Sequence, residues 1–111
     1  MKKIAFIGLV LVSLTACKKD KVENYSSANC VDTVSFNNEI LPLIQNNCTG
    51  CHDNQNGYSL TNHSNISSNS SAIIGSMRNS GYQLMPQGSP ALHDSIIQRI
   101  ECWVNQGKQN N

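Results

Sequence analysis

The chain has 111 residues, of which 39% are apolar, 14% are charged and five are cysteines. This length holds one domain at most, and it excludes a large multi-step enzyme and a polytopic membrane protein. From Asn24 onward three basic side chains accompany five acidic ones, which is not the charge pattern of a nucleic-acid-binding surface. A folded unit of about eighty residues has a marginal apolar core, so we expect something besides apolar burial to hold it together.

The N-terminus has the organisation of an export signal. Residues 1–3 (MKK) are basic, and residues 4–14 form an apolar run that is too short to cross a bilayer. The run ends in the tetrapeptide LTAC, residues 14–17, which resembles the bacterial lipobox. In lipobox proteins the chain is cut before the cysteine, whose thiol carries lipid. We therefore predict a signal peptide over residues 1–16 and a lipid anchor at Cys17.

The mature chain is expected to begin with a polar tether. Residues 17–34 are mostly polar and have no apolar period. Lys18 and Lys19 follow the cysteine in place of the aspartate associated with inner-membrane retention, so an outer-membrane anchor is favoured. The alternative is an ordinary signal peptide cleaved after Ala16, which also exports the domain.

The first predicted helix precedes the central cysteines. Four apolar residues recur at helical spacing on one face: Phe36, Ile40, Leu43 and Ile44. Pro42 is tolerated only in a first turn, because it has no N–H to donate. The regular helix is therefore expected to begin near Glu39.

A long polar loop is predicted next, followed by a short helix. Residues 53–71 are rich in Asn and Ser, and little regular structure is expected there. Residues 72–77 are predicted to form a helix with Ile73, Ile74 and Met77 facing inward.

The clearest predicted helix covers residues 94–106, with Asp94 near its N-cap and Gly107 at its C-cap. No stretch has the alternation of a β-strand. The sequence therefore predicts an all-α domain with long loops over residues 35–107, followed by a short tail over residues 108–111.

The residues with the clearest chemistry are Cys48, Cys51 and His52. They form the pattern C-x-x-C-H, which is the attachment pattern of c-type haem. Two thiols three positions apart on a helical turn point to the same side, where they add to the vinyl groups of one porphyrin, and the adjacent imidazole reaches the iron. Export favours haem, because haem attachment occurs outside the cytoplasm, and it weakens a zinc site, because exported thiols tend to oxidise. A zinc site that uses the same residues and His63 is an alternative.

The sequence offers four candidates for a second axial ligand: Met77, Met85, His63 and His93. Met77 shares a helical face with core residues, His63 is expected to be solvated in the polar loop, and His93 begins the last helix as a cap or surface residue. Met85 lies in a Pro- and Gly-bounded loop over residues 81–90, where no helical stripe explains it. We favour Met85, since a stiff loop suits a thioether held over iron.

These patterns together resemble small bacterial class I cytochromes c. The resemblance is carried by FxxxIxPxI over residues 36–44, CxxCH over 48–52, MPxG over 85–88 and LxxxxIxxIxxWVxxG over 92–107. It is strongest to the single-haem domains carried on lipoproteins of Bacteroidota-like bacteria. One departure is Ser89, which stands where the family usually has a second glycine.

The resemblance implies a cytochrome c-like fold, in which the first and last helices cross beside one covalently bound haem. It implies thioether bonds at Cys48 and Cys51, with His52 as the proximal ligand and Met85 as the distal ligand. Because both axial positions are then filled, we expect a single-electron carrier and not an enzyme. Its expected partners are redox proteins, such as an oxidase, a peroxidase or a dehydrogenase, and the membrane that holds the anchor. A haem-based ligand sensor and a zinc-binding structural lipoprotein are the alternatives.

Two cysteines remain once lipid and haem are assigned, Cys30 and Cys102. On a helical wheel Cys102 points away from the apolar stripe of the last helix, so a buried packing role is not expected. An exposed thiol is a liability in an exported protein. We therefore predict a disulfide between them that joins the end of the tether to the outer face of the last helix.

Overall fold

The computed structural model describes residues 30–54 and 57–111. The predicted signal peptide, the predicted lipid anchor at Cys17 and most of the predicted tether lie outside these residues. In the described ranges the secondary structure is helical and contains no strand, which confirms the all-α prediction. No helix in these same ranges has the length and apolar character needed to cross a membrane.

The described secondary structure consists of one π-helical turn and five α-helices. In chain order these are the π-helical turn (Phe36–Ile40), α1 (Leu41–Asn47), α2 (Thr49–His52), α3 (His63–Ser68), α4 (Ser70–Met77) and α5 (Asp94–Asn105). The π-helical turn runs directly into α1, and a single residue separates α1 from α2, as it does α3 from α4.

The first helix begins later than predicted. The Ser35 hydroxyl caps the π-helical turn, and the turn ends where the Leu41 N–H donates to the Phe36 carbonyl. Regular α-helix therefore starts at Leu41 and not near Glu39, because the preceding residues form this wider turn. Pro42 falls in the first turn of α1, where its missing N–H is tolerated, as predicted.

The segment over residues 53–71 contains a helix, so the prediction of little regular structure was wrong. The Asn62 side chain caps α3 by accepting a hydrogen bond from the Asn65 N–H at 2.9 Å, and Ile66 is fully buried. Ser and Asn are weak helix formers. The cap and the burial of Ile66 outweigh that weak propensity.

The inward face predicted for the short helix is confirmed. Ile73, Ile74 and Met77 are all buried, and α4 begins two residues earlier than predicted, at Ser70. Ser70 is also buried. Because serine is polar, its burial does not extend the apolar pattern from which the start of the helix was predicted.

The last helix has the predicted extent, and His93 caps it, which was one of the two roles expected for this residue. The His93 Nδ1 accepts a hydrogen bond from a backbone N–H of the first turn, and Asp94 lies next to the N-cap as predicted. At the other end Gly107 adopts a φ of +94°, which lets the Lys108 N–H return to the Trp103 carbonyl at 3.0 Å. A glycine just past a helix end commonly supplies this left-handed conformation.

One part of the apolar core lies between the π-helical turn, α1 and α5, and the same core continues through buried residues of α3 and α4. Phe36 and Trp103 are almost fully buried, and their ring centroids lie 5.6 Å apart. Aliphatic side chains from the same elements complete the contact: Ile40, Ile44, Ile97 and Ile100. The indole N–H of Trp103 donates to the Gln109 carbonyl at 2.9 Å, so its buried polar atom is satisfied.

A disulfide joins Cys30 to Cys102, with 5.4 Å between their Cα atoms. Cys102 is only 7% exposed, so the expectation that it faces away from the packed interior was wrong. Residues 30–34 cover that face of α5, where Val34 is buried and its N–H donates to the Gln106 side chain at 2.8 Å. A helical wheel does not reveal this burial, because the covering cysteine lies 72 residues away in the chain.

Residues 108–111, expected as a tail, pack against the start of the first helix. The Asn111 side chain accepts a hydrogen bond from the Phe36 N–H at 2.8 Å, and the Asn111 carbonyl accepts one from the Asn37 N–H at 2.8 Å. These bonds satisfy two of the N–H groups that a helix leaves unpaired at its start. The packed unit of the described chain therefore includes residues 30–34 and 108–111 as well as the predicted domain.

Two arginines connect α5 to its neighbours. Arg78, at the C-cap of α4, donates to the Glu101 carboxylate at 2.9 and 3.0 Å and also contacts Asp94. Glu101 is buried, so Arg78 supplies the counter-charge that a buried carboxylate needs. Arg99 pairs with Glu39 and ties α5 to the π-helical turn.

Candidate functional site

A cavity of about 540 Å³ lies between the α1–α2 corner, α4 and the loop that precedes α5. Its described lining includes Cys48, Cys51, His52 and Met85. The volume is in the usual range for small-molecule and cofactor sites, which is about 300–1,000 Å³. The structure thus brings the four residues predicted to hold a cofactor to one cavity.

One wall of the cavity is the corner where α1 meets α2. Cys48 separates the two helices with a φ of −127°, and its carbonyl accepts the N–H groups of Cys51 and His52 at 3.2 and 2.9 Å. These bonds wind residues 48–52 into one turn. A single turn therefore presents two sulfur atoms and one imidazole to the cavity.

The His52 ring has a buried polar atom with no protein partner. Within the described part of the chain, Nδ1 is buried and makes no hydrogen bond, although the His52 carbonyl accepts the Leu60 N–H at 2.7 Å. The ring also packs near Tyr58, at 6.4 Å between centroids. Leaving such an atom unpaired costs about 1–3 kcal/mol, which points to a partner outside the polypeptide. One ring nitrogen of a histidine can bind a metal ion, and the other then pairs with a carbonyl, a carboxylate or water.

The two sulfur atoms at this corner differ in exposure. Cys48 is half-buried and Cys51 is exposed. Burial raises the pKa of the Cys48 thiol to about 11, so this side chain is neutral at physiological pH. A redox-active C-x-x-C site lowers a thiol pKa instead, so thiol–disulfide exchange is disfavoured here.

Another part of the lining is formed by α4 and the loop over residues 82–87. Met85 is half-buried there, and its N–H donates to the Ser76 carbonyl at 3.1 Å. The Ser80 N–H donates to the Gly75 carbonyl at 2.8 Å. The loop therefore folds back onto the end of α4 and holds Met85 beside the cavity.

Met77 also lines the cavity, which the sequence did not indicate. It is 3% exposed and packs with the core, as predicted. It borders the cavity together with Ile73. A helical stripe predicts burial, but it does not tell whether the buried face meets other side chains or a cavity. The cavity thus has two thioether side chains, and that of Met85 is the less buried.

His63 lies apart from the described lining of the cavity. Its Nε2–H donates to the Lys108 carbonyl at 2.8 Å, and its ring packs at 4.8 Å from Phe36 and 5.9 Å from Trp103. The expectation of a solvated His63 was wrong, because the ring covers the aromatic end of the core. A zinc site that needs this histidine beside the C-x-x-C-H residues therefore lacks its fourth ligand.

No group of three or more His, Cys, Asp or Glu side chains within residues 30–54 and 57–111 is placed to hold a bare metal ion. The lining suits a larger group. Apolar side chains make up much of it: Leu60, Ala72, Ile73, Met77 and Leu92. Its amides are uncharged: Asn46, Asn47, Asn69, Gln83 and Gln87. The volume, the apolar lining and the sulfur and imidazole donors are compatible with a haem.

Two tyrosines at the mouth of the cavity were not singled out from the sequence. Tyr58 and Tyr82 line the cavity and are 47% and 49% exposed. Each is a lone aromatic in a polar loop, and such a residue has no periodic pattern that would mark it.

Comparisons with known proteins found no relative: no family model, no curated protein and no solved structure matches this chain. The cavity and its sulfur and imidazole donors are therefore the basis for a functional assignment.

Proposed function

We propose that this protein is a lipid-anchored, monohaem c-type cytochrome that carries single electrons between exported redox partners. The observation that carries the proposal is that Cys48, Cys51, His52 and Met85 line one cavity. Their order and spacing are those expected from the resemblance to small bacterial class I cytochromes c. One haem c per chain is expected.

Each of these residues has a distinct role in holding the haem. The Cys48 and Cys51 sulfur atoms bond to the porphyrin as thioethers, and His52 supplies the proximal nitrogen. His52 lines the cavity beside the two cysteines, which supports this role. Met85 would supply the distal sulfur from the loop that precedes α5. The bound iron supplies one-electron oxidation and reduction.

The donor set favours a carrier over an enzyme. With Met85 and His52 both holding the iron, no ligand position would be open to a substrate. Methionine ligation gives a more positive reduction potential than ligation by two histidines. An apolar lining also raises the potential, because it disfavours the additional positive charge of the oxidised iron. Such a centre suits a dehydrogenase as electron donor and an oxidase or peroxidase as acceptor.

The helical arrangement supports a cytochrome c-like fold with one adjustment. The π-helical turn packs on α5 through Phe36 and Trp103, as expected for first and last helices that cross. The described lining of the cavity contains no residue of α5, and the nearby chain contributes Leu92. In the proposed fold the haem would therefore not contact α5, and Phe36 and Trp103 pack between helices.

The location of the domain is proposed from the N-terminal sequence. The lipobox that ends at Cys17 and the polar tether support a domain outside the cytoplasm, held by lipid. The residues after the cysteine favour the outer membrane over the inner membrane.

Absorption spectra of the full chain, made in bacteria that carry a c-type haem maturation system, test the proposal. We expect haem that stays attached after denaturation, and a weak far-red band in the oxidised protein from the iron–thioether bond. Met85→Leu is expected to remove that band and keep the covalent haem. Met77→Leu, a matched change in the same cavity, is expected to keep both. A colourless protein with unmodified thiols at Cys48 and Cys51 would contradict the proposal.

The two alternatives have different signatures. A haem-based sensor needs an open or readily opened axial position, so stoichiometric binding of carbon monoxide to the reduced protein would favour it. A structural zinc lipoprotein would be colourless and would bind zinc stoichiometrically.

A further inference from the structure

We infer that Gly75 and Tyr82 act together as positioning residues that hold Met85 at the cavity. Since Met85 is the proposed distal ligand, this role depends on the proposed function. The relevant segment is residues 78–85, which leaves the end of α4, reverses direction and returns to it.

The Tyr82 ring occupies the space that a side chain at position 75 would need. A Cβ atom on Gly75 would lie 2.4 Å from Tyr82 Cδ2, 2.9 Å from Tyr82 Cε2 and 3.0 Å from the Ser80 carbonyl oxygen. Carbon atoms in favourable contact are about 3.5–4.0 Å apart. A residue with a side chain at this position would therefore displace the ring.

Helix formation does not explain a glycine at this position. Gly75 lies inside α4 and is buried, and glycine in a helix interior is about 1 kcal/mol less favourable than alanine. Its φ is not in the left-handed region. The close approach of the Tyr82 ring is the structural reason for the missing side chain.

Backbone hydrogen bonds fasten the segment on both sides of Tyr82. Before it, the Ser80 N–H donates to the Gly75 carbonyl at 2.8 Å. After it, the Met85 N–H donates to the Ser76 carbonyl at 3.1 Å. The ring lies on α4 between these two attachments, three residues before Met85. A displacement of the ring therefore moves the stretch of chain that carries the thioether.

The two ends of the segment are held by the Arg78 ion pairs and by the half-buried Leu84 and Met85. Residues 79–83 are exposed, and Tyr82 is the one aromatic residue in the sequence from 78 to 88. Tyr82 and Met85 both line the cavity. The contact between the ring and α4 thus links the end of that helix to the position of the proposed ligand.

An imidazole titration of the oxidised holoprotein tests this role. Imidazole binds the iron only in the fraction of molecules in which Met85 has left it, so its apparent affinity rises with that fraction. We expect Gly75→Ala to raise the imidazole affinity about tenfold and to weaken the far-red band, with the covalent haem content unchanged. Tyr82→Ala is expected to act in the same way. Tyr82→Phe retains the ring and is expected to restore wild-type values.

Two further measurements separate this mechanism from a general effect on the helix. In the double variant Gly75→Ala/Tyr82→Ala the added methyl group has no ring to displace, so the two effects are expected to be less than additive. Amide hydrogen exchange at Met85 is expected to accelerate in Gly75→Ala. Ser71→Ala, an exposed change on the same helix, is the control and is expected to alter neither readout.

The outcomes distinguish this role from the proposed function. Wild-type imidazole affinity and wild-type exchange at Met85 in Gly75→Ala would overturn the role of Gly75 and Tyr82, while a far-red band in the unmutated protein would still support Met85 as a ligand. Absence of that band from unmutated holoprotein would overturn the ligation itself. If Gly75→Ala does not fold, the comparison of Tyr82→Ala with Tyr82→Phe decides the matter, because Tyr82 is half-exposed.

Discussion

The α5 side and the cavity side of this protein are held together by different means. On the α5 side the disulfide, the buried Trp103 and hydrogen bonds from Asn111 join distant parts of the chain. On the cavity side the helices α2, α3 and α4 have only four to eight residues, and a His52 nitrogen is buried without a described partner. The α5 side is therefore cross-linked between distant parts of the chain, whereas the cavity side is held by the buried side chains of α3 and α4 and borders the cavity.

This difference follows from the small size of the domain. Helices shorter than about 12 residues are marginal in water without tertiary packing. A short chain has enough apolar residues for one compact core, and here that core includes residues of α3, α4 and α5. A covalently bound haem would add further apolar contact on the cavity side, which is the physical advantage that the proposed function gives this fold.

The largest expected loss of stability comes from Trp103→Ala. The change removes a fully buried ring that packs on Phe36 and His63, and it is expected to lower the free energy of unfolding by about 3–5 kcal/mol. Urea unfolding of the holoprotein measures the loss. Tyr58→Ala, at the mouth of the cavity, is the control and is expected to cost less than about 1 kcal/mol. Equal losses would show that the two sides do not differ in the way described.

Removing the disulfide is expected to have the next largest effect on the free energy of unfolding. Cys30→Ser/Cys102→Ser is expected to lower the free energy of unfolding by about 2–5 kcal/mol, because the bond closes a long loop. The far-red band is expected to survive, since the bond lies on the α5 side. Thiol titration of the unreduced, unmutated protein should detect neither cysteine. Loss of the far-red band with an unchanged free energy of unfolding would show that the disulfide supports the cavity side and not the α5 side.

A pair of arginine variants compares the contribution of two ion pairs of α5 to the stability of the protein. Arg78→Met leaves the buried Glu101 without its counter-charge and is expected to cost about 1–3 kcal/mol. Arg99→Met breaks the half-exposed pair with Glu39 and is expected to cost less than about 1 kcal/mol. Thermal unfolding of both variants under one condition measures the difference. A larger loss in Arg99→Met would mean that the link between α4 and α5 matters less than the structure indicates.

The smallest expected effect is a pH dependence that arises from Glu39. A hydrogen bond from the Ser35 N–H, together with the Arg99 ion pair, holds the pKa of Glu39 below its ordinary value of 4.5. A carboxylate with a lower pKa in the folded state stabilises the protein above the unfolded-state pKa, and this stabilisation is lost as the pH falls through the folded-state pKa. Urea unfolding below pH 4.5 should therefore show a shallower pH dependence in Glu39→Gln. An identical slope in both proteins would exclude this contribution.

Much of the candidate site was predictable because its residues are close in sequence. Cys48, Cys51 and His52 share one turn, so their spacing alone brings them to one wall of a cavity. The position of Met85 in a Pro- and Gly-bounded loop, outside any helical pattern, predicts its role as a candidate ligand. The position of Met77 beside the same cavity was not predictable, because a buried helical face looks the same in sequence whether it meets a core or a cavity.

By itself the sequence determined the helical class, the inward face of α4 and the extent of α5, since residues three or four apart on a helix share a face wherever the helix lies. Tertiary structure alone decided that residues 30–34 bury Cys102, that Ile66 anchors a helix in a polar segment, and that the Tyr82 ring lies where Gly75 has no side chain. Each of these features depends on contacts between separate segments of the chain. Such contacts stabilise the fold without producing a periodic pattern of residues.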